Sequence, residues 1–208
     1  VVLHEHGRAE HLAGTRDDAV GEAFDKVARL IGLPYPGGPA VQRASQAGDP
    51  SRFALPRPRL SDGFSFSGLK TAVRYLVRDL GPEALNQNGT PGDPQLVADL
   101  AASFQRAAVE QLVSGLEAAV DRTGSHRIAV VGGVAANQEL RETVVRRFAG
   151  LQVMIPPLAL CTDNAAMIAA AGWHRLRTHG PDPPGFDADP ALLEFCLLYT
   201  SPSPRDRQ

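Results

Sequence analysis

The chain has 208 residues, 43% hydrophobic and 21% charged, with a formal net charge of −2. This excludes a disordered polymer and a disulfide-built miniprotein, because the two cysteines, Cys161 and Cys196, make neither a disulfide framework nor a CxxC metal spacing. The small net charge excludes wholesale attraction to nucleic acid, so any RNA binding must come from a local patch, and no apolar run is long enough to span a bilayer.

The start, Val1-Val2-Leu3-His4, has no initiator Met and no signal-peptide layout, and reads as mid-strand; the expectation is a native N-terminus further upstream. His4, Glu5, His6 and His11 do not form the HExxH of zinc proteases. In a strand His4 and His6 would share a face, and ordinary surface histidines are expected. Apolar spacing at Val20, Phe24, Val27, Ala28 and Ile31 predicts a helix over 17–31 with Thr15 as N-cap, ended by Gly32. A short helix over 39–46 follows, then an irregular Pro-, Arg- and Ser-rich arm over 48–63. Residues 67–80 are predicted as an amphipathic helix, with Leu69, Val73, Leu76, Val77 and Leu80 inward and Lys70, Arg74 and Arg78 as a basic stripe. After a loop over 81–92, residues 94–121 predict one long helix with Leu96, Leu100, Phe104, Ala107, Val109, Leu112 and Leu116 in the core.

Residues 127–131 read as a buried strand, 135–148 as a helix, 151–155 as a second strand and 163–177 as a helix. That alternation predicts an α/β portion over about 125–180 with a largely parallel sheet, preceded by a helical insertion over about 15–120. Residues 180–190 form a Pro-rich stretch and 191–208 a tail. Within it, Cys196 to Asp206 resembles a translated sequencing adapter and is set aside from fold reasoning.

Several strings carry chemistry. Gly132-Gly133-Val134-Ala135-Ala136-Asn137 follows a strand and opens a helix, where backbone N–H groups can approach a phosphate; the same string also suits tight strand–helix packing. Glu22 and Asp25 share a helix edge. Either carboxylate can accept from ribose hydroxyls, and a solvated face with a Glu22–Lys26 pair is the alternative. Tyr35-Pro36-Gly37-Gly38-Pro39 predicts a rigid loop able to lie close to a ligand, or a helix connection. Cys161-Thr162-Asp163-Asn164 offers Asp163 as a metal ligand or, with Thr162, as a helix cap. Phe64-Ser65-Phe66-Ser67-Gly68-Leu69-Lys70-Thr71 sits in a segment, 50–80, whose six basic and two acidic residues could grip RNA phosphates or simply face solvent.

Together with Asp17-Asp18-Ala19-Val20-Gly21-Glu22-Ala23-Phe24-Asp25-Lys26, these strings, in this order and spacing, resemble the TsaD family of tRNA N6-adenosine threonylcarbamoyltransferases, over about residues 1–190. The resemblance implies an α/β fold of the actin/Hsp70/hexokinase (ribonuclease H-like) type, here with its N-terminal lobe missing. It also implies transfer of threonylcarbamoyl from threonylcarbamoyl-adenylate to N6 of the adenosine 3′ of the anticodon in ANN-decoding tRNAs, with AMP released, in the cytoplasm. By the same resemblance Asp25, Gly38 and Asn137 bind the adenylate. Asp163 binds one divalent metal, iron or else zinc, whose two histidine ligands lie in an HxxxH that this sequence lacks. A substrate-contacting Ser-Gly-Gly-His-Thr is also absent, so the chain alone is expected to be inactive. A paralogous actin-like subunit of the TsaB type and a small ATPase of the TsaE type are the implied partners. Gln42 stands where the family often has Asp and is left out of the site, and Ala165 replaces a frequent Gly. The alternatives are a non-catalytic actin-like partner subunit, which is expected to lack the CTDN Asp, and a metalloprotease, which no HExxH supports.

Overall fold

The computed structural model describes residues 1–5, 8–56, 63–81 and 84–181. His6, Arg57 and Arg59 lie outside the described residues, as does the adapter-like string. In chain order the elements are β1 (Val2–Glu5), β2 (Arg8–Glu10), β3 (Gly14–Thr15), α1 (Val20–Leu30), α2 (Gly37–Ser45), β4 (Gly63–Phe64), α3 (Ser67–Asp79), α4 (Pro94–Thr123), β5 (Arg127–Ala129), α5 (Gln138–Arg147), β6 (Gln152–Met154) and α6 (Ala165–His179). They fall into two compact units, one over residues 15–163 and one made of residues 1–14 with those from 164 onward.

The larger unit is built on α4. Asp93 caps it by accepting from the Gln95 N–H at 2.9 Å, Pro94 occupies its first turn, and Gly124 ends it in the left-handed region at φ 64°. Its first half is buried almost all round, from Leu96 to Val109, as expected for a helix at the centre of a core. α1 packs Phe24 edge-on against Phe104 of α4 at 5.0 Å between ring centroids. Val27, Val41, Leu69 and Val73 complete this first cluster, each full burial stabilising by roughly 1.5–3 kcal/mol.

The second half of α4 packs Val109 and Val113 against Ile128, Leu140, Val144 and Phe148. Here β5 and β6 run parallel, with Ile128 opposite Val153, and α5 is the crossover between them. The second unit contains the antiparallel β1–β2 hairpin and α6, which Asn164 caps by accepting from the Met167 N–H at 3.0 Å.

The architecture is thus mixed, with helices and small two-stranded sheets, and its parallel β–α–β follows the predicted order. Several boundaries differ from expectation: α1 starts at Val20 rather than 17, α2 at Gly37 rather than 39 and α6 at Ala165 rather than 163, and the strand expected to be buried over 127–131 ends at Ala129 with only Ile128 buried, Val131 being exposed because one face of this two-stranded sheet is left uncovered. Thr15 does not cap α1; its hydroxyl donates to the Asp18 carbonyl at 2.9 Å, and Ala19 precedes the helix without a side-chain cap. The helix expected from 135 starts at Gln138, after a 3₁₀ turn over Gly133–Ala136. No helix among the described residues is long and apolar enough to cross a membrane.

Candidate functional site

Asp25 projects from the middle of α1 toward the first turn of α2, where its Oδ1 accepts the Gly37 N–H at 2.7 Å. The contact is close because Gly37 has no side chain. A Cβ there would lie 2.5 Å from Asp25 Cα and 2.7 Å from the Phe24 carbonyl oxygen. Gly38 is the opposite case, since a Cβ would meet nothing within 4 Å. Gly37 is therefore a packing glycine and Gly38 an open one, while Tyr35 stands 84% exposed just before them.

The Gly132–Asn137 segment approaches the same helix. A Cβ on Gly21 of α1 would lie 3.7 Å from Val134 Cγ2. Gly132 takes φ 89°, a backbone region that favours glycine, and both Gly132 and Gly133 face open space. Asn137 is 8% exposed. Its Oδ1 accepts the Leu140 N–H at 3.0 Å and caps α5, and its Nδ2 donates to Gln105 Oε1 at 2.8 Å. The Gln138 N–H is taken by Gln42 Oε1 at 2.8 Å. Two amides of the first turn of α5 are thus already used. The open stretch available to an anion is the Gly132-Gly133 turn, the glycines to which the sequence points, with the start of α5 contributing less than expected.

The Asp17-Asp18 pair does structural work that the sequence did not reveal. Asp17 accepts from the Ser65 and Ser67 hydroxyls, each at 2.5 Å, and from the Phe66 and Ser67 N–H groups at 2.8 and 3.2 Å, which fixes the start of α3. Burial pushes its pKa up, but these hydrogen bonds outweigh it and hold the carboxyl below the usual 3.8. Asp18 accepts from Lys26 at 2.7 Å and Lys70 at 3.2 Å; the Lys26 hydrogen bond leads in lowering its pKa, against burial, and Lys70 adds to it. Lys26 also pairs with Glu22 at 2.8 Å. The expected basic stripe is correspondingly reduced. Lys70 is committed to Asp18, and Arg78 pairs with Asp79 at 2.7 Å while stacking on Tyr75 at 4.7 Å. Arg74 stays exposed.

Four polar residues of α4 are buried, Asp99, Ser103, Gln105 and Gln111, and among them Asp99 and Gln105 tie the helix to its neighbours. Asp99, 2% exposed, accepts from the Asp49 N–H at 2.7 Å and from Arg52 at 2.6 Å, pinning the stretch after α2 onto the helix. Gln105 links α2, α4 and α5 by donating to Ser45 Oγ at 2.9 Å and Glu139 Oε2 at 2.8 Å. Beside it lies a cleft of about 670 Å³, with Gln42, Glu110, Glu142 and Arg146 in its walls; Asp25, Gly38 and Asn137 do not line it.

The family model for tRNA N6-adenosine threonylcarbamoyltransferase, TsaD, matches residues 1–170. The chain belongs to the TsaD family. Curated relatives named as that transferase are 54% identical in Rhodospirillum rubrum, over 82% of this chain and 48% of the relative, and 50% identical in Synechococcus, over 95% and 53%. A third, from Gloeobacter violaceus, is 51% identical over 84% of this chain and 49% of the relative. The chain thus spans about half the length of the relatives it matches.

In the TsaD motif Cys161-Thr162-Asp163-Asn164, capping falls to Asn164, and neither Thr162 nor Asp163 has that role. Asp163 is exposed, with no hydrogen bond or ion pair to a described residue. It fits a metal as one oxygen ligand, but the described residues hold no cluster of three or more His, Cys, Asp or Glu, so they do not by themselves make the family's metal site. His4 Nε2 lies 3.2 Å from Glu10 Oε2 in the β1–β2 hairpin, an ordinary surface contact.

Proposed function

We propose that this chain supplies the nucleotide-facing part of an enzyme that transfers threonylcarbamoyl from threonylcarbamoyl-adenylate to N6 of the adenosine 3′ of the anticodon in ANN-decoding tRNAs. What supports this reading most is the Asp25–Gly37 contact, because it engages only Oδ1 of a half-buried Asp25 and lies next to Gly38, whose Cβ position is open. The free Asp25 Oδ2 accepts from a ribose hydroxyl, as carboxylates do in dinucleotide folds. Gly38 lets the sugar approach its backbone. Asn137 keeps one N–H beyond its bond to Gln105, and in this reading that donor serves the nucleotide. The Gly132-Gly133 turn offers its amides to the phosphate. In the reaction the exocyclic amine attacks the activated carbonyl, the bond to the phosphate oxygen breaks, and AMP leaves. The tRNA base must be unstacked to reach that carbonyl.

Asp163 is the residue that would hold a divalent metal, iron or zinc, which when bound polarises the phosphate and carbonyl. Its two histidine partners, and the lobe that carries them, belong in this reading to a longer polypeptide. TsaB-type and TsaE-type partners and a cytoplasmic setting belong to the same proposal.

The test is a chimera in which this chain replaces the matching half of the Rhodospirillum rubrum relative. It should form N6-threonylcarbamoyladenosine on tRNA, read by mass spectrometry of nucleosides, and Asp25→Ala in it should abolish the product. A folded chimera that leaves the tRNA unmodified sinks the reading.

A further inference from the structure

Asn137 has an amide whose two ends are chemically opposite and sterically alike, so a site that uses it must decide which end points where. Its Oδ1 is fixed by the Leu140 N–H and its Nδ2 by Gln105 Oε1. The second bond is only as well defined as the orientation of Gln105, which is itself a side-chain amide, 4% exposed. Glu139 settles that orientation. Its Oε2 accepts from Gln105 Nε2 at 2.8 Å, while its other oxygen accepts from Arg106. Ser45 Oγ receives from the same nitrogen at 2.9 Å. With both N–H groups so engaged, Gln105 must turn its oxygen toward Asn137. A flipped Gln105 would set an oxygen against the Glu139 carboxylate and two nitrogens against each other, which leaves buried polar groups unpaired. Glu139 is in turn held by Arg106, whose Nε reaches its other oxygen at 3.1 Å.

From this chain of bonds we infer that Gln105 is a positioning residue: a Glu139–Gln105–Asn137 relay, acting with the Leu140 N–H, locks the Asn137 amide in place, so that its remaining N–H is held for the nucleotide. The inference rests on the reading that Asn137 contacts the adenylate. Neither Gln105 nor Glu139 needs to touch ligand, and both lie among the walls of the neighbouring cleft.

The test is AMP binding to this chain by calorimetry, with the Asn137 side-chain NH₂ signals followed by ¹⁵N–¹H NMR and folding checked by circular dichroism. Wild type should bind AMP and shift the Asn137 NH₂ pair. Asn137→Asp, which keeps the acceptor for Leu140 but removes the donors, should lose binding. Gln105→Leu should lower affinity roughly tenfold, the value of one oriented hydrogen bond, and broaden or move the Asn137 NH₂ pair before any AMP is added. Glu139→Ala should act in the same direction. Glu139→Gln, which retains an acceptor oxygen, should restore binding, since Arg106 keeps Glu110 at 3.3 Å. A folded Gln105→Leu with wild-type affinity and unmoved Asn137 signals overturns the relay while leaving the nucleotide reading intact. If Gln105→Leu does not fold, Glu139→Ala decides, and unchanged binding there overturns the relay equally. Wild-type affinity in Asn137→Asp, or no AMP binding by wild type, instead removes the nucleotide reading and this inference with it.

Discussion

Adjacent glycines at 37 and 38 should respond to the same substitution in opposite ways. In Gly37→Ala the new methyl would lie 2.5 Å from Asp25 Cα and 2.7 Å from the Phe24 carbonyl oxygen, both backbone atoms of a buried helix. Carbon atoms rest at about 3.5–4.0 Å, so α2 must retreat by about an ångström. Overpacking of this kind costs about 1–3 kcal/mol. The retreat also breaks the Gly37 N–H to Asp25 hydrogen bond, worth roughly another 1.5–3 kcal/mol for a charged acceptor. Against this, replacing Gly reduces unfolded-state entropy and returns about 0.4–1 kcal/mol. The net loss is roughly 1.5–5.5 kcal/mol, and at about 2–4 °C per kcal/mol for a chain of this size the melting temperature should fall by roughly 3–22 °C. Gly38→Ala meets no atom within 4 Å, so its melting temperature should hold or rise slightly, while AMP binding should weaken because the methyl occupies the approach to the backbone. Thermal melts of the two variants, with AMP titrations beside them, decide the point. Equal melting temperatures for wild type and Gly37→Ala, or a large drop in Gly38→Ala, would refute the assignment of packing to the first glycine and openness to the second.

Other outcomes follow from the same contacts. Asp17, Asp18 and Asp99 all titrate below 3.8 in the folded chain, the last mainly because the Asp49 N–H donates to it. A folded-state pKa below the unfolded one gives stability that is present above about pH 4 and lost as pH falls through the folded value. Melting temperature should therefore drop steeply below that pH, and less steeply in Asp17→Asn with Asp18→Asn, as a pH series of melts would show. Gly48→Ala would set a methyl 2.0 Å from the Ala98 carbonyl oxygen and should lower the melting temperature more than any surface change. In the chimera, Arg74→Glu should weaken tRNA binding and flatten its salt dependence without altering the melt, whereas Lys70→Glu should lower the melting temperature by opposing Asp18; filter binding at several salt concentrations separates the two. Asp163→Ala should leave stability within about 0.5 kcal/mol, and the purified chain should carry no stoichiometric divalent metal by elemental analysis.

The long helix α4 was legible because its apolar spacing, the Asp93-Pro94 start and the Gly124 stop all point to the same boundaries. The β5–α5–β6 order was legible for the same reason. What the sequence could not show were bonds between residues distant in the chain. Asp99 and Gln105 interrupt an apolar face, which marks them as unusual, but their partners at Asp49, Arg52, Ser45, Asn137 and Glu139 lie 32 to 60 residues away, apart from Gln95 one turn earlier. Nothing local says which of two neighbouring glycines abuts a backbone, so the Tyr35–Pro39 string predicts a ligand-close loop or a helix connection without distinguishing Gly37 from Gly38. Asn137 was expected to open toward ligand at a helix start. The extra 3₁₀ turn moves that start to Gln138 and makes Asn137 the cap, leaving it a single free donor. The residues assigned to the nucleotide came from resemblance to a family, since each of their strings taken alone also fits plain packing.

The most direct test of the nucleotide reading is a residue-resolved ¹⁵N–¹H NMR titration of this chain with AMP. Amide shifts should concentrate at Asp25, Gly37 and Gly38 and across Gly132 to Asn137, with the α2–α4–α5 cleft responding only where Gln105 and Glu139 join the relay. Shifts confined to the cleft walls around Glu110, Glu142 and Arg146, or no saturable shift at all, would contradict it.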